Sequence, residues 1–274
     1  MNNLKRGKVA GEERAFDSLT LKKMKISSAF DQFEIVRLVP LHLFGNMDIS
    51  ITNSTIFMLL AILTWQYLIK INIVDNGTVV PHRWQSVIEL VYENIFNIVK
   101  QNIGKEGYKY FPFILTLFVW IALMNLYGVV PYTFSPTSHI IVTFGLSLSI
   151  FLGVTLLGFV NHATDYFAMF LPAGSPMWLA PFLVIIEFIS HGAKAVSLGV
   201  RLAANITAGH LLFGILSGFC WTMLTTGGFL AVLSIFPLFI VLFITVLEMG
   251  VAVVQAYVFC VLTSIYINDS IHLH

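Results

Sequence analysis

Nine polar side chains in the last third of this 274-residue chain, seven of them ionisable and two amides, lie in or beside otherwise apolar runs. Glu187, His191, Lys194, Arg201, Asn205 and His210 fall within the stretch 182–224; Glu248 and Gln255 fall within 229–266, with Asp269 just beyond. At about 100° per residue from Arg201, Lys194 lies about 20° away, Glu187 and Asn205 about 40° and His191 about 80°, so these groups form one polar stripe on a helix. His210 falls about 180° from Arg201 and about 13 Å along the axis, and faces another environment. Glu248 and Gln255 share a face, and Asp269 lies two further heptads along near the helix end.

Glu, His and Asp held in apolar helices form the residue set of a proton relay, because they titrate or can be shifted into the working range. An arginine keeps its proton at any physiological pH, so it is no carrier; it is a fixed cation that can hold a carboxylate ionised and obstruct direct proton passage. A charged side chain at mid-membrane depth costs about 2.5 to 3.5 kcal/mol on insertion scales, which favours functional placement of Arg201 over ordinary packing. The competing structural readings are a pairing of Arg201 with Glu187 for assembly, a hydrogen-bonded packing role for His210, and packing or snorkelling for His191 and Lys194. Asn205 and Gln255 taken alone signify interhelical hydrogen bonds.

The composition sets these residues in a membrane. The chain is 57% hydrophobic and 11% charged, with a mean hydropathy of +0.85, against about 25% charged residues in an average soluble domain. Thirteen of its fifteen Lys and Arg precede residue 110, which leaves no basic stripe able to track nucleic acid. Cys220 and Cys260 lie inside apolar runs and read as small buried hydrophobes.

The elements expected to position the polar stripe follow from segment length. Residues 1–48 are polar and of mixed charge, an extension outside the membrane fold with acids that an ordinary transit peptide lacks. A first span covers 49–69, about 20 residues and enough for a hydrocarbon core of about 30 Å. In 82–103, Trp84, Val87, Ile88, Val91, Ile95, Ile98 and Val99 recur at helical spacing opposite Gln85, Glu89, Glu93, Asn97 and Lys100, which predicts an amphipathic helix on the membrane surface. Spans at 111–130 and 140–160, joined by "PYTFSPTSH", predict a hairpin. A proline-broken link follows, and then come the runs 182–224 and 229–266, about twice the length a bilayer needs. Two long, steeply tilted helices packed together are expected, with Gly199 and Ala203, and Gly214 and Gly218, permitting close approach. The fold class is therefore an all-α membrane protein. Five Lys and Arg in 70–109 put that connection on the negative side of the membrane; the eight in 1–48 argue the opposite, a conflict that resolves if part of the extension is removed or exported.

At these residues the sequence resembles subunit a of the rotary (F-type) ATP synthase, mitochondrial form. The resemblance runs from about residue 49 to the C-terminus and is carried by "SLGVRLAANITAGHLL", "LPAGSP", "PFLVIIEFIS", "LEMGVAVVQAYVF" and "YINDSIHLH". It implies that Arg201 is the stator charge that meets the carboxylate of a rotor ring. It further implies that His210 and Glu248 lie in the half-channel from the intermembrane space, and that Glu187 and Asp269 belong to the matrix-side half-channel. On this resemblance the chain is a non-catalytic, multi-pass subunit of the mitochondrial inner membrane, with no cofactor, metal or nucleotide of its own. Its partners are a ring of small carboxylate-bearing subunits, other stator subunits and lipid. A stand-alone antiporter predicts inverted repeats, which the sequence does not display, and a haem-binding redox subunit predicts histidines paired on facing spans.

Overall fold

The computed structural model describes residues 33–39, 42–43, 47–48, 50–74, 81–130, 133–162, 166 and 178–272. Most of the polar extension 1–48 and of the proline-broken link before residue 178 therefore lies outside the described residues. The chain divides into a unit of Met1–Glu34 and a unit of Ile35–His274, and all that follows concerns the second.

Four short strands, β1 (Arg37–Val39), β2 (His42–Leu43), β3 (Met47–Asp48) and β4 (Ile51–Thr52), form two antiparallel pairs, β1 with β4 and β2 with β3. Among the described residues the elements after them are helices: α1 (Asn53–Val74), α2 (Arg83–Asn102), α3 (Phe111–Val129), α4 (Ile140–His162), α5 (Ala180–Thr226), α6 (Gly228–Leu233) and α7 (Ile235–Ile271), with short 3₁₀ turns before α3 and before α4. Among the described residues, the stretches Phe111–Val129, Ile140–His162, Ala180–Thr226 and Gly228–Ile271 are long and apolar enough to cross a membrane. The chain is an all-α membrane protein. The helix α1 carries Gln66 and Lys70 in its second half and is not one of those four.

Local chemistry explains several boundaries. Thr52 accepts the Thr55 backbone N–H at 3.4 Å and so satisfies one of the free donors that open α1. Pro112 and Pro181 stand in the first turns of α3 and α5, where a missing N–H costs nothing. Gly227 and Gly228 have φ of 74° and 62°, a left-handed pair that lets the chain reverse after α5. The second long apolar run is interrupted at Ser234. Pro237 cannot donate to the carbonyl four residues back, and the break leaves it in the first turn of α7, where no such bond is required.

The 47 residues of α5 extend about 70 Å and the 37 of α7 about 56 Å, lengths that no perpendicular span needs. Their common core is made with the hairpin and the amphipathic helix: Ile95, Ile98 and Val99 of α2, Ile114, Leu117 and Ile121 of α3, Ile150 and Val154 of α4, Leu198 and Leu202 of α5, and Phe259 and Cys260 of α7 are all buried together. Only the second half of the α2 apolar face is covered; Trp84 and Val87 remain exposed. Gly199 is pressed against α4, where an added Cβ would meet Phe144 Cα at 2.9 Å and Thr143 O at 3.0 Å, whereas Gly218 faces open space. The close approach expected at the small residues is thus realised at Gly199, against the hairpin. Both cysteines are free and buried, with Cys260 Sγ 3.8 Å from Ile114 O.

Candidate proton-path site

The two long helices run antiparallel, and three contacts fix their register. The Glu248 carboxylate lies against Gly209, so that a Cβ there would sit 2.7 Å from Glu248 Oε1. Asn205 Nδ2 donates to Gln255 Oε1 at 2.8 Å. Lys194 Nζ stands 6.0 Å from the centroid of the Tyr266 ring. Each step back along α5 is matched by a step forward along α7, which is how a residue near the C-terminus reaches one at the start of α5.

This register sorts six of the nine polar residues into two clusters, Glu187, His191, Lys194 and Asp269 on one side and His210 and Glu248 on the other, with Arg201 and the Asn205–Gln255 pair between them. Toward the start of α5, His191 is buried beside Phe151, with ring centroids 5.2 Å apart, and the charges of Lys194, Asp269 and Glu187 all act on it. Asp269 also acts on Tyr266 and on Tyr166, a buried residue beyond the end of α4 that packs against Gly158. Burial raises the Tyr166 phenol pKa above its ordinary 10.0, a hydrogen bond with Thr155 works against that, and the Asp269 charge adds to it. His162 Nε2 donates to Ile271 O at 2.9 Å and ties α4 to the end of α7 on the same side.

Toward the other end, Glu248 is only 7% exposed, and its Oε1 has no hydrogen-bond partner among the described residues. It touches the backbone one residue from His210, itself half-buried. Asn125 of α3, fully buried, donates from Nδ2 to Ala252 O at 3.2 Å, one helical turn from Glu248. Thr207 Oγ1 donates to Ser138 O at 3.0 Å, so the turn between α3 and α4 is joined to α5 one turn before His210. Burial lowers the pKa of His139, at the end of that turn, below its ordinary 6.5.

Arg201 lies between the clusters and on the exposed face of α5, its Nη2 reaching Ser197 Oγ at 3.4 Å. The pairing of Arg201 with Glu187 fails on distance. The two share a helix face, but α5 is continuous across them, and fourteen residues of helix separate them by about 21 Å. Around Arg201 the exposed positions include four small residues, Ala193, Ser197, Ala204 and Ala208, beside Val196, Val200 and Asn205. That surface admits a second helix at close range.

Periodicity within α5 anticipates its stripe and the opposite facing of His210. It does not anticipate Asn125, Thr207, Ser138, His139, Tyr166 or Tyr266. Asn125 had a readable signal, an amide near the middle of an uncharged span; the others resemble ordinary turn or helix residues until the tertiary contacts are known.

Fold and site together define a polytopic helical membrane protein with two partly buried ionisable clusters on either side of an outward-facing guanidinium. The family model described as "ATP synthase A chain" matches residues 50–268. The chain is 48% identical over 260 residues to ATP synthase subunit a-2 of Arabidopsis thaliana, covering 93% of this chain and 74% of that protein. It is 47% identical over 250 residues to ATP synthase subunit a of Marchantia polymorpha, covering 90% and 99%, and 48% identical over 245 residues to that of Metridium senile, covering 89% and 98%. The chain belongs to the ATP synthase A chain family, which assigns it to ATP synthesis and proton transport in a membrane.

Proposed function

We propose that this chain is the stator subunit that forms two offset half-channels against a rotor ring in the mitochondrial inner membrane. The observation that carries the reading is the exposed Arg201 between two partly buried ionisable clusters that lie on either side of it along the α5–α7 pair. A proton entering beside Glu248 and His210 neutralises a carboxylate on the adjacent ring subunit, and the neutral site then turns into lipid. After nearly a full rotation the site meets the second cluster and releases its proton toward Glu187 and Asp269, with His191 and Lys194 alongside. The resulting carboxylate is attracted by Arg201, whose permanent charge bars a direct route between the clusters. Asn205 and Gln255 hold the two helices in register at the level between them. A potential worth about 2.3 kcal/mol per charge per 100 mV lets several protons accumulate the work of ATP formation elsewhere in the complex. This chain is itself non-catalytic and needs no cofactor. Its partners are the ring, the other stator subunits and lipid; α1 supplies the first span and α2 lies along the membrane surface.

Arg201 has no carboxylate partner among the described residues, and its charge costs energy in lipid unless one is brought to it, which supports a ring partner over a stand-alone transporter. The test is proton flux in vesicles bearing assembled complexes, with the potential imposed in each direction, alongside ATP synthesis. Arg201→Lys should abolish coupled synthesis, because an ammonium lacks the planar fork and can lose its proton when desolvated. Arg201→Ala should leak passively and show no ATP-driven pumping. Normal coupled synthesis in Arg201→Lys overturns the charge-barrier reading.

A further inference from the structure

The helices α1 and α3 do not close on each other along their whole contact. Between Ala61, Ile62 and Trp65 on α1 and Phe113, Thr116 and Trp120 on α3 they leave a cavity of about 330 Å³. That is more than twice the size of an apolar cavity of about 150 Å³, which stays dry in water and takes up benzene. Thr116 offers this cavity no free hydroxyl, because its Oγ1 donates to Phe113 O at 2.9 Å. Ile62 and Phe113 are 43% and 46% exposed, so the cavity is a groove that opens sideways toward the surrounding lipid.

Chain order sets the depth of the groove. With α1 crossing the membrane and α2 lying on its surface, the end of α1 and the start of α3 stand at the same face, and each carries an exposed lysine there, Lys70 and Lys109. The turn that ends at Lys109 runs on into α3: the Tyr110 N–H donates to Gly107 O at 2.9 Å, and Tyr110 O accepts from the Ile114 N–H at 3.1 Å. At about 100° per residue Lys109 therefore lies within about 40° of Phe113, Thr116 and Trp120, in line with the groove. Helical rise puts the lining residues about 6 to 16 Å below Lys109 and about 8 to 14 Å below Lys70. One leaflet contributes about 15 Å of hydrocarbon, half of a core of about 30 Å, so the groove occupies the depth of a single acyl chain whose headgroup would sit at the lysines. A protein helix is too large for it: a 10 Å length of helix about 10 Å across fills about 800 Å³.

We propose that the α1–α3 groove binds an anionic phospholipid, with one acyl chain laid between Trp65 and Trp120 and the phosphate held at Lys109 and Lys70. The apolar lining selects a hydrocarbon chain, and the cationic mouth selects the charge of the headgroup, since basic pockets between membrane helices attract anionic lipids. Lys109 is the principal headgroup contact because it stands in line with the groove, and Lys70 reaches the same phosphate from the end of α1 along its flexible stem. The bound chain fills a gap that would otherwise leave α1 poorly packed against the rest of the protein. The site rests on α1 as the first span and not on the assignment of the two half-channels.

The experiment uses assembled complexes in vesicles containing a trace of phosphatidylglycerol or phosphatidylcholine with a photoactivatable diazirine in mid-chain. After illumination, the label on peptides covering 61–65 and 113–120 is counted by mass spectrometry. Phosphatidylglycerol should label both segments well above phosphatidylcholine. Lys109→Gln should lower that labelling by about fivefold and Lys70→Gln with Lys109→Gln by about thirtyfold, the loss expected for one and two lysines at the membrane surface. Thr116→Trp, which fills the groove, should remove the label with both lysines in place. Equal labelling by the two lipids means ordinary surrounding lipid and overturns the site. Absence of label from both segments means that another subunit covers the groove and overturns it too, as does undiminished labelling in the lysine variants. If Thr116→Trp fails to assemble, the lysine variants decide. Thr55→Cys and Lys70→Cys separate this idea from the span on which it rests: a membrane-impermeant thiol reagent should reach them from opposite sides. Reaction of both from one side sinks the span, whereas opposite sidedness with equal labelling by the two lipids sinks only the lipid site.

Discussion

Gly209→Ala tests the assigned site with the smallest possible change. Within a helix the substitution should help locally, since alanine is favoured over glycine by about 1 kcal/mol. The tertiary contact opposes it. The new Cβ would lie 2.7 Å from Glu248 Oε1, 2.9 Å from Cδ and 3.3 Å from Cγ. An unstrained contact of this kind needs about 3.5 Å, so the carboxylate must retreat by about 0.8 Å. All three crowded atoms belong to one side chain that can rotate, so the backbone pair α5–α7 should survive and the complex should assemble. What changes is the position of the carboxylate relative to His210 and to the ring, and a misplacement near 1 Å can cost about 100-fold in a reacting geometry. ATP-driven pumping per assembled complex is therefore expected to fall by at least about tenfold, measured as acidification of vesicles normalised to complex content. In the double change Gly209→Ala with Glu248→Asp, the shorter side chain should remove the crowding, so that adding alanine to an aspartate background costs less than adding it to the native one. Pumping within twofold of normal in Gly209→Ala would mean that the carboxylate position against α5 does not govern transfer, and the entry-side assignment would fall with it.

Two further outcomes follow from the helix contacts. In a double-mutant cycle, Asn205→Leu and Gln255→Leu should show a coupling of about 0.6 to 1 kcal/mol in the thermal stability of the purified complex, since each alone strands the other amide; strictly additive effects would deny that their 2.8 Å hydrogen bond registers the helices. Gly199→Ala should destabilise by about 1 to 3 kcal/mol, because the Cβ would strike Phe144 Cα at 2.9 Å and Thr143 O at 3.0 Å, backbone atoms that cannot rotate aside. Gly218→Ala, with nothing within 4 Å, should leave the melting temperature nearly unchanged, and equal melting of the two variants would contradict the packing described for α4 against α5.

The sequence by itself determined the class of the protein and much of its site. Backbone groups in lipid must be satisfied internally, and continuous apolar runs of spanning or double-spanning length, unlike the short alternating strands of a barrel, meet that demand as helices. Helical period alone set Arg201 near Lys194 and opposite His210, since those relations lie within α5. What depended on contacts between elements could not be read this way. Angle on a helical wheel carries no axial distance, so Glu187 and Arg201 looked like partners although a continuous α5 holds them about 21 Å apart. The opposition of Gly209 to Glu248, of Asn205 to Gln255 and of Lys194 to Tyr266 is a register between residues 39 to 72 positions apart, fixed by how α5 and α7 pack and reverse through Gly227 and Gly228. Prolines and serines in "PYTFSPTSH" announced a turn, but turn chemistry states only local backbone shape; that Ser135, Thr137 and Ser138 are buried, with Ser138 O accepting from Thr207 of α5, was decided by the helices that close over them.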